Sequence, residues 1–277
     1  MTNGIKSKQL IIRKTQENLT TFPFGEVGRG FIMKQYGLIG FPLVHSFSKR
    51  FFTEKFAYEN IDAKYDLFEL ESGSDFPRLL AQHEFSGLNV TIPYKQQVIA
   101  YLDELDETAA EIGAVNVIKF IRSNGVLRLK GYNSDAVGFE KSLTPHLLPH
   151  HRKALILGTG GASKAVAYTL KKLGIEAVHV SRTKQPGCLT YDTLDREIMI
   201  GHKLIVNTSP VGTFPHSDEC PAIPYSYLDD THFLYDLVYN PAETLFLAKG
   251  KEHGAKGING VEMLAGQAVA AWEIWEV

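Results

Sequence analysis

The stretch from Lys153 to Gly174 constrains the fold more than any other part of the chain. Lys153 to Leu157 is a short apolar run, and Gly158-Thr159-Gly160-Gly161 is a glycine turn. Ala162 to Leu173 then places Val166, Thr169, Leu170 and Leu173 on one helical face, with Gly174 as the cap. A strand, a glycine turn and an amphipathic helix in that order open a βαβ unit, in which the next strand lies parallel to the first. Short apolar runs recur at Ala177 to Ser181, Leu204 to Asn207 and Phe233 to Val238. This alternation is that of a doubly wound parallel sheet.

Ahead of Pro149 the grammar differs. Gln35 to Gly40, Tyr65 to Leu70 and Gly87 to Ile92 read as strands, and Phe47, Phe51, Phe52 and Phe56 give Ser46 to Asn60 a helical period. Asp75 to His83 reads as a short helix, and Asp103 to Ile112 as a helix with acid at its start. Val115 to Arg122 and Val126 to Tyr132 are joined by Ser123-Asn124-Gly125, a strong hairpin signal. Val261 to Trp275 is amphipathic.

Length and composition narrow the function. The 277 residues suit one large domain or two ordinary ones, and 44% hydrophobic residues suffice for a packed core. A net charge of -2 with no basic stripe argues against a nucleic-acid partner. The only cysteines, Cys188 and Cys220, have no metal-ligand spacing and fit a reducing cytoplasm, so neither a metal nor a disulfide framework is expected. No apolar run reaches membrane-spanning length, and no secretory leader pattern opens the chain. The first thirty or so residues are polar and read as a poorly ordered extension.

Two sets of residues carry chemistry. In the glycine turn, Gly158 and Gly160 permit a tight bend and close backbone approach, and Gly161 and Ala162 open a helix whose free N–H groups suit a pyrophosphate. Ser163 stands where the common fingerprint has its third glycine. About twenty residues on, an NAD site would show an acid. Here the strand ends in Ser181-Arg182-Thr183-Lys184, and an arginine suits the 2′-phosphate of NADP. The second set is Asn89-Val90-Thr91-Ile92-Pro93-Tyr94-Lys95. Asn89 and Thr91 share a strand face, and Lys95 follows one turn later, behind a proline that stops the strand. An amide, a hydroxyl and an amine aimed at one point suit a small polyhydroxylated ligand. Gly131-Tyr132-Asn133-Ser134-Asp135 adds a carboxylate.

From about Gln35 to Ala271 the chain resembles the shikimate dehydrogenase family. The resemblance rests on Gly37-Leu38-Ile39-Gly40 with Pro42, on His45-Ser46-Phe47-Ser48, and on Asn89 to Lys95. It extends through Gly113-Ala114-Val115-Asn116, Gly131 to Asp135 with Gly138-Phe139, and Asn207-Thr208-Ser209-Pro210-Val211-Gly212. Asp236 with Tyr239, and Gly260, Met263, Leu264 and Gln267, complete it.

The resemblance implies NADPH-dependent, reversible reduction of 3-dehydroshikimate to shikimate, a step of chorismate and aromatic amino acid synthesis. It implies a two-domain α/β fold. Residues 33–134 with 260–277 would form the substrate-binding domain, residues 135–259 the Rossmann-like NADP domain, and residues 1–32 the extension. Lys95 would stabilise the oxygen that gains charge on hydride addition, and Asp135 would hold the lysine in place. Ser46 and Ser48 would bind the substrate carboxylate. Asn89, Thr91, Asn116 and Gln267 would read ring hydroxyls, with Tyr239 lining the same pocket. Asn207, Thr208, Val238 and Gly260 would join the cofactor set.

Plainer roles stand beside these. Ser46 or Ser48 would serve as a helix cap, Asp135 as the cap of the next helix, Asn116 as a turn residue and Gln267 as a boundary residue. His45 reads as structural. The chain also departs from the family pattern. Pro186-Gly187 marks a turn where members place a helix, the second arginine of the adenosine site is missing, and Thr213 stands where methionine is common. Two other readings stay open: a broader quinate/shikimate dehydrogenase using NAD or NADP, and a non-catalytic NADP-binding regulatory homologue. Monomer and homodimer both fit.

Overall fold

The computed structural model describes residues 33–43 and 46–276, in two units. The expectations for residues 1–32 and for His45 lie outside the described residues. One unit holds the chain up to Ser134 and again from Gln267, and the other runs from Asp135 to Gly266. The sequence reading placed the second boundary earlier, at Gly260.

The first unit is built on a mixed sheet of six strands: β1 (Lys34–Gly40), β2 (Ala63–Glu69), β3 (Phe85–Val90), β4 (Glu104–Leu105), β5 (Val117–Ser123) and β6 (Val126–Tyr132). Their order is β2-β1-β3-β5-β6-β4. β1 runs parallel to β2 and β3, whereas β5 is antiparallel to both β3 and β6. The β5–β6 turn has Asn124 and Gly125 at φ 52° and 77°, the left-handed pair that an Asn-Gly hairpin turn requires.

Helices α1 (Phe47–Tyr58), α2 (Phe76–Gln82) and α3 (Glu107–Ile112) also belong to this unit. Helix α3 is shorter than the sequence suggests. Glu104 and Leu105 pair in parallel with β6, and the Asp103 carboxylate accepts from Leu129 N–H at 2.7 Å. The helix then starts at Asp106, whose side chain caps Ala109 N–H.

One hydrophobic cluster of this unit gathers Ile39, Phe76, Phe85, Leu88 and Ile118. A second is aromatic and joins α1 to the C-terminal part of α8 (Val261–Glu276). Tyr36 lies against Phe56, Trp272 and Trp275, and the Trp275 indole donates to Ile118 C=O at 3.1 Å. Gly87 is required beneath that indole, because any Cβ there would overlap it.

The second unit is a wholly parallel sheet of β7 (Lys153–Leu157), β8 (Glu176–Ser181), β9 (Cys188–Thr190), β10 (Leu204–Asn207), β11 (Phe233–Asp236) and β12 (Lys256–Ile258). The order is β12-β11-β10-β7-β8-β9. Counted from β7, this is the 3-2-1-4-5-6 order of the doubly wound nucleotide fold, with its switch point between β7 and β10.

Helices α4 (Ser134–Leu143), α5 (Gly161–Lys172), α6 (Arg196–Gly201) and α7 (Leu245–Glu252) accompany this sheet. Its strands are apolar runs buried in clusters that include Leu155, Ile156, Val206 and Tyr235. Met263, on the first turn of α8, packs in the same cluster as Phe139 and Tyr235. That packing explains why this unit continues past Gly260. Among the described residues, no helix is long and apolar enough to cross a membrane.

Candidate active site

In the second unit, the glycine turn follows β7 at the switch point. Gly158 has φ +124°, and a Cβ there would lie 2.7 Å from Thr208 Oγ1. Gly158 therefore serves both a backbone shape and a close approach. Gly160 is the N-cap of α5, and nothing lies within 4 Å of where its Cβ would be. Open space over the N-terminus of a twelve-residue helix fits the pyrophosphate of a dinucleotide. Ser163 is buried and donates to Gly160 C=O at 2.6 Å, so the residue replacing the third glycine pins the turn.

His179 was not singled out from sequence. Its Nδ1 lies 2.9 Å from Gly158 C=O, bracing the turn from β8. A lone histidine in a strand gives no local signal of this, because the contact depends on the β7–β8 register.

The loop after β10 lies on the other side of the switch point. Thr208 donates to Leu157 C=O through its hydroxyl at 2.9 Å and its N–H at 3.0 Å. Asn207 is wholly buried. Its Nδ2 donates to Asp236 Oδ1 at 2.9 Å, and its Oδ1 accepts from Ser209 N–H and Oγ. The Asp236 carboxylate also accepts from Val238 N–H at 3.0 Å and Thr244 Oγ1 at 2.7 Å. Burial nevertheless raises its pKa from the usual 3.8 to about 6, outweighing these three hydrogen bonds. Gly260 N–H donates to Val238 C=O at 3.2 Å, and the backbone there leaves no room for a side chain.

At the end of β8, Ser181 is buried, while Arg182, Thr183 and Lys184 beyond it are exposed. Ser181 Oγ accepts from Thr183 N–H at 3.3 Å and Gln185 Nε2 at 3.1 Å. The chain turns at Gly187, with φ 74°, into β9, where the family pattern would place a helix. Tyr239 also belongs to this unit and is half-buried. Asp135 lies in the first turn of α4 and is 6% exposed.

In the first unit, β3 ends at Val90 and the chain bends through Thr91 to Lys95, with Tyr94 N–H donating to Thr91 C=O at 2.9 Å. Thr91 N–H pairs with Ile39 C=O, which ties this bend to the end of β1. Lys95 C=O accepts from Val115 N–H at 2.7 Å, which sets the turn beside the segment leading to Asn116. Ser46 does cap α1, accepting from Lys49 N–H at 3.1 Å, and Ser48 lies in the first turn of that helix. The Leu43 N–H between β1 and α1 is held by Glu69 Oε1 at 2.5 Å.

Asn89, Asn116 and Gln267 come together on one line of buried hydrogen bonds. Tyr65 Oη donates to Asn89 Oδ1 at 2.7 Å. Asn89 Nδ2 donates to Asn116 C=O at 3.3 Å. The Asn116 amide closes a double contact with Ser134, accepting from its N–H at 2.7 Å and donating to its Oγ at 3.0 Å. Ser134 Oγ reaches Gln267 Oε1 at 3.4 Å. Tyr65 and Ser134 are the two members of the line that sequence reasoning missed.

A Rossmann-ordered sheet with an open glycine turn, together with a second α/β unit bearing a line of buried amides and hydroxyls, defines a dinucleotide-fold protein of the small-metabolite oxidoreductase class. Comparison with known proteins narrows the class. Residues 38–118 match the family model described as the shikimate dehydrogenase substrate binding domain. Shikimate dehydrogenase (NADP(+)) of Carboxydothermus hydrogenoformans is 38% identical over 87% of this chain and 91% of its own length. Among solved structures, shikimate dehydrogenase from Aquifex aeolicus superposes with a TM-score of 0.77 at 35% identity, covering 90% of this chain and 94% of that one. The Thermus thermophilus enzyme in complex with NADP(H) and shikimate gives 0.76 at 30% identity, covering 88% and 93%. The chain belongs to the shikimate dehydrogenase family.

Proposed function

We propose that the protein is an NADP-dependent shikimate dehydrogenase that interconverts 3-dehydroshikimate and shikimate. The observation that carries this reading is the buried line Tyr65–Asn89–Asn116–Ser134–Gln267, which offers fixed amides and hydroxyls to a polyhydroxylated ring. Sites of this kind reject analogues lacking a hydroxyl, because a buried polar group is then left unmatched. The residues around Gly158 and Gly160 fit a dinucleotide, and NADP when bound supplies or accepts the hydride.

The protein's own residues then carry defined roles. Ser46 and Ser48 bind the substrate carboxylate near the N-terminus of α1. Asn89, Thr91, Asn116 and Gln267 fix the ring hydroxyls, and Tyr239 is a further substrate-binding residue. The Lys95 ammonium stabilises the carbonyl oxygen as negative charge develops and delivers a proton to it, and Asp135 is the second catalytic residue. Gly158, Gly160, Gly161 and Ala162 hold the pyrophosphate, and Ser181, Arg182, Thr183 and Lys184 the 2′-phosphate. Asn207, Thr208, Val238 and Gly260 shape the nicotinamide end. Both cysteines are free thiols, in keeping with a cytoplasmic enzyme that acts as a monomer or homodimer.

The test is NADP reduction with shikimate, followed by NADPH absorbance beside quinate and beside NAD. Turnover confined to shikimate with NADP supports the reading. Turnover with quinate or NAD moves the protein to a broader dehydrogenase, and cofactor binding without turnover makes it a regulatory homologue.

A further inference from the structure

Tyr65 sits on β2, buried, and its phenol oxygen hydrogen-bonds Asn89, a residue assigned to a ring hydroxyl of the substrate. The polarity of this line has a fixed end. Asn116 C=O is a backbone acceptor, so the Asn89 amide must face it with Nδ2, the 3.3 Å contact. Asn89 Oδ1 therefore faces Tyr65, and the phenol must donate to it, at 2.7 Å. Burial pushes the phenol well above its ordinary pKa, which keeps the proton this donation needs.

We infer that Tyr65 is a positioning residue for substrate recognition, fixing the Asn89 amide so that its remaining N–H points at a ring hydroxyl. The inference rests on the proposed dehydrogenase reading. Without the phenol, Asn89 Oδ1 loses its donor and the amide is held only by its 3.3 Å contact to Asn116 C=O. The loss therefore falls on binding of the hydroxylated ring and not on hydride transfer.

The experiment is Tyr65→Phe, which removes one oxygen from a residue already packed face to face on Phe52. Turnover and shikimate affinity by calorimetry are both read, for wild type, Tyr65→Phe, Asn89→Ala and the double variant. KM and Kd for shikimate are expected to rise roughly tenfold with kcat within about twofold, as for loss of one binding hydrogen bond. KM for NADP should not move. In the Asn89→Ala background, Tyr65→Phe should have little further effect.

Unchanged shikimate affinity in Tyr65→Phe overturns the inference. So does a fall in kcat and cofactor affinity together, or an undiminished effect in the Asn89→Ala background. A wild-type protein that binds shikimate without turnover refutes the dehydrogenase reading instead, and the calorimetric comparison then judges Tyr65 alone. A wild-type protein that does not bind shikimate overturns both.

Discussion

Asn207 donates from Nδ2 to Asp236 Oδ1 at 2.9 Å, across the neighbouring ends of β10 and β11. This contact decides which way the Asn207 amide faces. With its N–H spent on the carboxylate, Oδ1 turns to the N–H and hydroxyl of Ser209 and ties down the start of the Asn207-Thr208-Ser209 loop. Asp236 therefore shapes the loop after β10 while itself lying entirely below the surface.

Burial of that carboxyl gives a pH signature. A carboxyl with a folded pKa of about 6, above its ordinary 3.8, holds its proton more tightly in the folded chain. Its contribution to stability is complete below the unfolded value and is lost as pH rises through the folded one, by up to roughly 3 kcal/mol. Asp236→Asn cannot ionise. Its Oδ1 still accepts from Asn207 and Val238, and its new amide N–H faces Thr244 Oγ1, whose hydroxyl can turn to accept. The variant's Tm relative to wild type should climb from about pH 4 to about pH 6, the span of the two pKa values, and level off above it. A pH-independent difference in thermal denaturation would show that Asp236 does not titrate in this window.

Replacing Lys95 with Ala should lower kcat by roughly a thousandfold, the range of a lost acid–base group. The glycine turn and the loop after β10 are built from residues of the other unit, so NADP affinity should stay near wild type. Cofactor titration by fluorescence beside steady-state kinetics checks both. A variant that loses NADP binding as severely as turnover would remove Lys95 from the catalytic role.

The sequence announced whatever is decided locally. The β7–turn–α5 segment, the Asn124-Gly125 hairpin and the Ser46-capped helix each carry their signal within a few residues. What stayed hidden depends on a distant strand. Glu104–Leu105 looked helical until β6 paired with it, and the three-residue strands β9 and β12 exist only through their parallel neighbours. The same divide runs through the site. Asn89, Asn116 and Gln267 stood out as polar residues in recognisable motifs. Tyr65 resembled an ordinary aromatic strand residue, because its partner Asn89 is 24 positions away. Ser134 read as a spacer before Asp135, and its contact with Gln267 spans 133 positions.

At Gly260, an added methyl group would press into the Leu237 backbone, carbonyl oxygen first, with the Leu237 Cα only 3.1 Å away. Backbone at the end of β11 cannot swing aside as a side chain tip would. Gly260→Ala should therefore cost roughly 1–3 kcal/mol, as overpacking does, and read out as a lower Tm. It should also raise KM for NADP by displacing Val238, whose C=O accepts from Gly260 N–H. Shikimate affinity should hold, since the buried line of amides and hydroxyls is made of residues from the other unit. An unaltered Tm and cofactor KM would mean the β11 end yields freely and does not shape cofactor binding.

Arg182 stands exposed just past β8, where a guanidinium can meet a 2′-phosphate, and the turn behind it is tied by Gln185 to Ser181 at 3.1 Å. The family's helix and second arginine are replaced here by that turn, so on the proposed reading discrimination would rest on Arg182 with Lys184. Removal of the guanidinium should then act on one cofactor only. Arg182→Ala should raise KM for NADP by roughly ten- to a hundredfold, the scale of a lost charge-assisted pair, while KM for NAD stays within about twofold. Lys184→Ala should show the same selectivity with a smaller effect, because an ammonium offers a point charge without the planar fork. Steady-state kinetics with both cofactors at saturating shikimate give the comparison. Equal losses for NADP and NAD would place Arg182 against the shared part of the dinucleotide, and the preference for NADP would need another source.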